Sequence, residues 1–461
     1  MTWRRSLIYF VVLALIGGYF YYFEVVRKEK QETAEREAKR LYQVKSDDIQ
    51  AVELMQKGQK PVVIEKKEDW HVTQPLATDV EKSSVDSLVR ALSALSSEAK
   101  VGDTVQDLKA YGLDDPGLKI RFLVSGQWHE LTMGDKNAVS RGYYAQVGKG
   151  SVYLINESNW SLLNKGLNEL RRRALFTFQA DQAQKVTVSW DGGATFQVQR
   201  SDEGEQQGAW QSPDQPTLKI KSSKVENILQ QLQFLRAQNF LDDQPAQPDL
   251  SKVGLQPPQV QVRIGLGGDR SVELKLAHPP ENGKEKTVNA MSSELAGVVQ
   301  VDSTVFKDIP KELSALEDRS LVSARSSEVK EVRWGVGDTT GSLANIEANK
   351  WRLKIGDGEV REPKESWRVN SFLWELQQAE YSKKLASPPD KPEKPYAQIE
   401  IDAGGKTTSL VWEKSALGDS RVMQVWVDQG NGVECVEVGS DPLKKVEEEI
   451  QTLLASGQQK S

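Results

Sequence analysis

Two stretches of the chain have closely related sequences. The first reads DLKAYGLDDPGLKIRF (Asp107–Phe122) and the second DLSKVGLQPPQVQVRI (Asp249–Ile264). Asp, Leu, Gly, Leu, Pro and Arg occupy matching positions in both stretches, with a constant offset of 142 residues (107 to 249). A fixed spacing of this kind indicates a duplicated unit. Because the period is far longer than that of solenoid repeats, each copy is expected to have a core of its own.

A tryptophan recurs with nearly the same period. Trp70, Trp210 and Trp351 are separated by 140 residues (70 to 210) and 141 residues (210 to 351). Each follows a charged or Gly-containing stretch, which is typical of the return strand of a β-hairpin. Tryptophan at one repeated position indicates shared core packing and marks three copies of the unit.

A helix is predicted after each tryptophan. Apolar residues recur at i, i+3, i+4, i+7 and i+10, which places them on one stripe of an α-helix. The three stripes are Val85, Leu88, Val89, Leu92 and Leu95; Val225, Ile228, Leu229, Leu232 and Leu235; and Val369, Phe372, Leu373, Leu376 and Ala379. We expect serines just upstream to cap the free N–H groups of these helices, namely Ser83 or Ser84, Ser222 or Ser223, and Ser366.

The repeated phrase predicts a turn and then a strand. Gly112 and Gly254 are expected to adopt a left-handed backbone, and Pro116 and Pro258 are expected to start strands, because neither proline can donate a hydrogen bond. The alternating apolar residues that follow indicate a strand covered on one face. In the third copy the turn is replaced by SPPDKPEKP (Ser387–Pro395), but the alternation continues after it.

These patterns predict an α+β protein with three tandem repeats of about 140 residues. Each repeat is expected to be a mainly antiparallel sheet with two helices, in the order β-β-α-β-β-β-β-α. The predicted boundaries are 47–180, 181–324 and 325–457, followed by a tail at 458–461.

An uncharged segment, LIYFVVLALIGGYFYYF, precedes the repeats. Extended to residues 6–26, it has about the ~20 residues that span a bilayer as a helix. No small residues follow it as a cleavage site would require, so we expect an uncleaved transmembrane anchor rather than a removed signal peptide. Residues 1–5 then form a cytoplasmic tail, and residues 27–46 a charged helical stalk.

The anchor predicts a single-pass protein of the bacterial cytoplasmic (inner) membrane, with most of the chain extracytoplasmic or periplasmic. Arginines at positions 4 and 5 support this orientation. Because cations also follow the span, the charge bias alone leaves the topology open.

The composition offers little for catalysis. The three histidines, His71, His129 and His278, are far apart, and Cys435 is the one cysteine. No Cys pair, His pair or acidic loop has the spacing of metal ligands. A net charge of −6 gives no overall attraction to nucleic acid. We therefore predict no catalytic, cofactor-binding or metal site, a protein that is not an enzyme, and no nucleic-acid partner.

Two of the histidines lie in Trp-His dipeptides, DWHV and QWHE, within predicted strands. Neighbouring residues of a strand point to opposite faces, so a buried tryptophan would leave its histidine in water. The expected role of these histidines is that of exposed strand residues.

Several tryptophans are concentrated in the third repeat, among them Trp367, Trp374, Trp412 and Trp426. Because indole rings stack on sugar rings, these four are candidates for a glycan-binding surface. Packing in the core or at an interface is the favoured alternative, since large aromatic residues are usually buried.

The order of tryptophan, helix, YGLxxP turn and strand resembles the bacterial family described as domain of unknown function 4340. The residues that carry the resemblance are Trp70, Tyr111, Gly112, Leu113 and Pro116, and Trp210, Gly254, Leu255 and Pro258. The resemblance implies a protein anchored in the bacterial cytoplasmic membrane and encoded beside subunits of gliding-motility-type ABC transporters. It implies no catalytic residues.

The expected function is that of a membrane-anchored extracytoplasmic accessory or scaffold protein, associated with an ABC-type transport or export complex. Its expected partners are the membrane and the transporter subunits. One alternative is a protein that binds cell-envelope glycan or lipid, and an envelope hydrolase ranks last. The sequence leaves the oligomeric state and the identity of any ligand open.

Overall fold

The computed structural model describes residues 37, 39–103, 105, 107–202, 208–241, 249–279, 286–347, 350–413, 422–430 and 432–455. The predicted tail at 1–5, anchor at 6–26 and tail at 458–461 lie outside the described residues, as does most of the predicted stalk at 27–46. Within the described part of the chain, no helix combines the length and apolar character needed to cross a membrane.

The described residues form an α+β fold with three antiparallel sheets. The first sheet contains β1 (Ile49–Gln56), β2 (Val62–Lys66), β3 (Trp70–Gln74), β4 (Thr78–Asp79), β5 (Ala99–Gly102), β6 (Leu118–Val124), β7 (Gln127–Lys136), β8 (Gly142–Val147) and β9 (Val152–Asn156). Its helices are α1 (Lys82–Ala94), α2 (Glu157–Leu163) and α3 (Leu167–Leu170).

The second sheet has eight strands. They are β10 (Lys185–Trp190), β11 (Thr195–Arg200), β12 (Trp210–Gln211), β13 (Asn239–Phe240), β14 (Val260–Gly265), β15 (Ser271–Leu276), β16 (Thr287–Ser292) and β17 (Val299–Asp302). The associated helices are α4 (Ser222–Gln233) and α5 (Val305–Asp308).

The third sheet also has eight strands. They are β18 (Val329–Val336), β19 (Thr339–Glu347), β20 (Lys350–Ile355), β21 (Tyr381–Lys384), β22 (Ala397–Ala403), β23 (Lys406–Trp412), β24 (Val422–Asp428) and β25 (Val433–Gly439). The associated helices are α6 (Ser366–Gln378) and α7 (Ser440–Ala455).

The three sheets share one strand order. The second sheet runs β12-β11-β10-β14-β15-β16-β17-β13 and the third β20-β19-β18-β22-β23-β24-β25-β21. The first sheet has the same order, β3-β2-β1-β6-β7-β8-β9-β5, with β4 added beside β3. Because one unusual order recurs three times along the chain, the repeats are copies of one fold.

The predicted element order was incomplete. Instead of two strands, four precede α1 in the first repeat, and three precede α4 and α6 in the other two. A short strand follows each of these helices at the opposite edge of the sheet. The chain therefore crosses the sheet from one edge to the other through α1, α4 or α6. A helix on that path covers one face of the sheet and buries its apolar stripe there.

The helical stripes are buried as the periodicity predicts. Val85, Leu88 and Leu92 of α1 are fully enclosed, and so are the matching Val369 and Phe372 of α6. Full burial of each such side chain contributes roughly 1.5–3 kcal/mol to folding, so the stripes are a major source of stability.

The predicted serine caps were wrong for two of the helices. The N-cap positions of α1 and α6 are Glu81 and Glu365, and neither side chain makes a capping hydrogen bond. By contrast, Gly112 and Gly254 have the predicted positive φ angles, +65° and +73°.

The chain enters each repeat through the same backbone contact. The N–H of Leu41 donates to the carbonyl of Leu95 over 2.8 Å, and the N–H of Leu175 donates to that of Leu235 over 3.0 Å. In the third repeat the N–H of Leu321 donates to the carbonyl of Ala379 over 2.9 Å. Each contact ties the incoming segment to the end of the crossing helix.

The described residues belong to two compact units. Residues up to Pro216, together with Ser222–Ala315, form the first unit, which holds the first and second sheets. Thr217–Lys221 and the residues from Leu316 onward form the second unit, which holds the third sheet.

Arginines connect the two sheets of the first unit. In the run Arg171–Arg173, the guanidinium carbon of Arg171 lies 3.3 Å from the ring centroid of Phe240. Arg173 donates through Nε to the carbonyl of Ala237 over 2.8 Å. These cations are engaged in contacts between the first two repeats.

Candidate functional site

Two of the four tryptophans proposed for binding project from one helix. Trp367 and Trp374 of α6 are 57% and 53% exposed. They are separated by two helical turns and therefore lie on the same face of the helix. Val369 and Phe372 lie on the opposite, buried face. The structure thus presents a pair of solvent-facing indoles, which we call the α6 tryptophan face.

The other two proposed binding tryptophans are buried. Trp412 donates through Nε1 to Oε1 of Glu447 over 3.0 Å, and Trp426 donates to the carbonyl of Pro389 over 3.1 Å. Trp426 packs beside Cys435, whose thiol pKa is raised by burial. The structure does not bring the four tryptophans together, and Trp412 and Trp426 have no exposed ring face for a ligand.

The tryptophans that mark the repeats are packed inside. Trp210 and Trp351 are buried, and Trp70 is partly buried against the core of the first sheet. The Arg200 guanidinium lies 4.8 Å from the Trp210 ring centroid. Their recurrence therefore reflects packing.

The expected orientation of one Trp-His dipeptide was wrong. Trp128 is 43% exposed, whereas His129 lies inward and stacks on Phe122 with ring centroids 5.2 Å apart. The cause is register: His129 is paired with Phe122, a core residue of the adjacent strand. His71 behaves as expected, with an exposed side chain.

A cleft was missed at the end of the first hairpin in the second repeat. Its volume is ≈ 670 Å³. The turn between β10 and β11, the residues after β12 and the segment after α5 come together to form it. The residues that line it include Trp190, Asp191, Phe196, Asp214, Gln259 and Lys311.

The first repeat has a cleft at the equivalent place. Its volume is ≈ 740 Å³, and it is formed by the turn between β1 and β2, the loop after β3 and the segment after α2. Gln56, at the end of β1, occupies the position that Trp190 has at the end of β10. Its carboxamide donates to Asn164 across this cleft. The fold therefore builds the same cleft twice, with different side chains.

No local motif signals these clefts, because their walls come from segments far apart in the sequence. The one usable signal was Trp190, a tryptophan placed immediately before the Asp191–Gly193 turn.

A smaller cavity of ≈ 240 Å³ lies in the second compact unit. Lys384 Nζ lies 2.8 Å from Glu434 Oε2, and the Tyr381 hydroxyl donates to Glu317 over 3.4 Å. Burial raises the pKa of Tyr381. The Lys384–Glu434 ion pair neutralises part of the charge in this cavity, which offers a polar surface.

No group of three His, Cys, Asp or Glu side chains among the described residues has the arrangement of a metal site. The nearest approach of a histidine to a carboxylate in the second repeat is that of His278 Nε2 and Asp191 Oδ2, at 3.3 Å. Both groups are about half exposed.

Comparison with known proteins identifies one family. No curated protein matches the chain. Among solved structures, a DNA polymerase III subunit beta (DnaN) sliding clamp from Bartonella birtlesii aligns with 85% of this chain and 91% of its own, at 10% identity and a TM-score of 0.13. A score this low carries no argument about fold or function. Residues 70–258 match the model of the family described as "Domain of unknown function (DUF4340)". The chain therefore contains a DUF4340 domain over residues 70–258.

Proposed function

We propose that the protein is a membrane-anchored, extracytoplasmic accessory or scaffold subunit associated with an ABC-type transport or export complex. The observation that carries the scaffold role is the α6 tryptophan face. Two indoles more than half exposed on one helix face leave apolar surface in water, and such surface marks interaction sites. Tryptophan is also the residue most enriched among those that dominate binding energy at protein interfaces.

The repeat itself does not require these tryptophans. When the helices are matched through Val85, Val225 and Val369, the positions of Trp367 and Trp374 hold Ser83 and Arg90 in the first repeat and Ser223 and Gln230 in the second. The first two repeats thus form the same fold with polar residues at both helix positions. A role outside the fold explains why the third repeat alone has indoles there.

The membrane and transporter parts of the proposal come from the sequence. The apolar segment 6–26 supports a single-pass anchor. The DUF4340 family resemblance supports a location in the bacterial cytoplasmic membrane and ABC transporter subunits as partners. A tethered chain with a repeated module can hold such a partner near the membrane without acting on a substrate.

Site-specific photocrosslinking in intact cells tests the proposal. A photoreactive amino acid at position 367 or 374 of the full chain is expected to give crosslinks to a transporter subunit. The same amino acid at position 128 is the matched control, since Trp128 is an exposed tryptophan in the first repeat. Crosslinks that are equal at all three positions, or absent at 367 and 374, would contradict the assigned surface.

A further inference from the structure

We propose that the cleft of the second repeat is a binding site for a neutral carbohydrate. This inference does not rest on the transporter association. It rests on a combination of an aromatic wall, hydrogen-bond acceptors and excess negative charge within one preformed cleft of a size suited to a small ligand.

The aromatic part is held in a fixed orientation. Trp190 is half-buried, and its Nε1 donates to the carbonyl of Pro310 over 2.8 Å. Its ring also packs against Phe306, with centroids 6.1 Å apart. An indole secured at one edge and lining a cleft offers a rigid apolar surface for the C–H face of a sugar ring. Phe196, at the start of β11, also lines the cleft but is buried.

The polar part consists of acceptors. The carboxamide oxygen of Gln259 is enclosed, and it has no hydrogen-bond partner among the residues that the structure describes. The exposed carboxylates of Asp191 and Asp214 line the same cleft, and Asp191 Oδ2 also lies 3.3 Å from His278 Nε2. Ionised carboxylates only accept hydrogen bonds, and an enclosed acceptor without a partner is costly. A ligand rich in hydroxyl donors satisfies the Gln259 oxygen and can also donate to the two carboxylates.

The charge of the cleft selects against anionic ligands. In the part of the chain that the structure describes, the carboxylates of Asp191, Asp214 and Glu312 line it together with one cation, Lys311. Phosphorylated or carboxylated molecules would meet like charge there. A neutral oligosaccharide is not repelled, and its hydroxyls donate to the carboxylates in charge-assisted hydrogen bonds.

The equivalent cleft of the first repeat lacks this combination. Gln56 has the position of the indole there. Its side-chain amide donates to Asn164, so these two polar groups of the cleft bind each other. The first repeat is therefore an internal comparison: it has the same cleft without an aromatic wall. We assign carbohydrate binding to the second repeat only.

Isothermal titration of the full chain in mild detergent tests the assignment, with two neutral probes, the β-linked tetramers of N-acetylglucosamine and of glucose. At least one is expected to bind saturably. Trp190→Ala and Asp214→Asn are each expected to weaken that binding by at least about tenfold, the loss of one good contact. Asp214 is exposed, so its variant keeps the fold.

Two controls separate a lost contact from a lost fold. Trp128→Ala removes an exposed tryptophan outside the cleft and is expected to leave affinity unchanged. The thermal unfolding midpoint of Asp214→Asn is expected to equal that of the parent. The assignment is overturned if neither probe binds saturably, if Asp214→Asn binds as the parent does, or if an anionic tetrasaccharide from heparin binds more tightly than both neutral probes.

Discussion

Arg121 on β6 lies directly opposite Glu53 on β1, with Nη1 2.9 Å from Oε2, and the third sheet has the same pair with its charges exchanged. There the arginine is Arg333 on β18, which matches β1, and the glutamate is Glu400 on β22, which matches β6. Arg333 Nε lies 3.4 Å from Glu400 Oε2. The common strand register places these positions opposite each other. Both sheets therefore have an ion pair at this position, but the acidic and the basic residue have exchanged strands.

We expect this pair to make a small, measurable contribution. A double-mutant cycle with Glu53→Gln and Arg121→Gln should give a coupling energy of roughly 0.5 kcal/mol, since partly exposed ion pairs contribute about 0–1 kcal/mol. The coupling should decrease in high salt because the charges are screened. A coupling that is independent of salt would show that the two side chains interact by packing alone.

The buried stripe of α6 should be far more sensitive than its exposed face. Phe372→Ala removes an enclosed ring that packs edge-on against Trp334, and it should lower the stability of the third sheet by about 3–5 kcal/mol. Trp374→Ala, two residues further along the helix, should change stability by less than about 0.5 kcal/mol. Hydrogen exchange of the β22 amides measures both effects. Similar losses for both variants would contradict the assignment of the two faces.

Gly134 should not tolerate a side chain. A Cβ at this position of β7 would lie 2.1 Å from the carbonyl oxygen of Tyr111, in the turn of the repeated phrase. Since backbone cannot move aside cheaply, Gly134→Ala should cost at least about 1–3 kcal/mol. Gly150→Ala is the matched control, because its Cβ would make an ordinary 3.4 Å contact. Equal unfolding midpoints for the two variants would refute the close approach of turn and strand.

Glu294 should make part of the stability dependent on pH. Burial acts to raise the pKa of its carboxyl, but hydrogen bonds from Thr177 and Arg270 outweigh burial and hold the pKa below its ordinary value of 4.5. A pKa depressed in the folded state means that the carboxylate stabilises the fold above pH 4.5, and that this contribution is lost as the pH falls through the folded pKa.

Glu294→Gln removes this contribution. The stability difference between parent and variant should therefore be largest near neutral pH and shrink as the pH falls below 4.5. Thermal unfolding at a series of pH values measures it. A difference that stays constant across the acid range would show that the charge of Glu294 has no part in stability.

Periodicity and spacing predicted the repeated core well. The stripe containing Val85, Leu88 and Leu92, the left-handed glycines and the strand at Ala397 depend on local patterns, which are visible in a sequence. Short edge strands were missed because they carry almost no local signal. The strand β13 consists of Asn239 and Phe240 and is defined by pairing with β17, some sixty residues further along the chain.

The site residues were harder to predict for the same reason. Trp412 and Trp374 are indistinguishable by residue type, yet one is enclosed and the other more than half exposed. Their difference depends on which face of an element meets the core. The cleft near Trp190 depends on contacts between segments more than a hundred residues apart, such as its hydrogen bond to Pro310.

Quantitative mass spectrometry of the full chain, purified in mild detergent, tests whether this tethered scaffold holds its partner through the α6 tryptophan face. The parent and Trp128→Ala should recover ABC transporter subunits in equal ratio. The double variant Trp367→Ala/Trp374→Ala should recover at least about tenfold less, as expected for the loss of two dominant interface residues. Reproducible absence of these subunits from the parent, or undiminished recovery by the double variant, would contradict the claim.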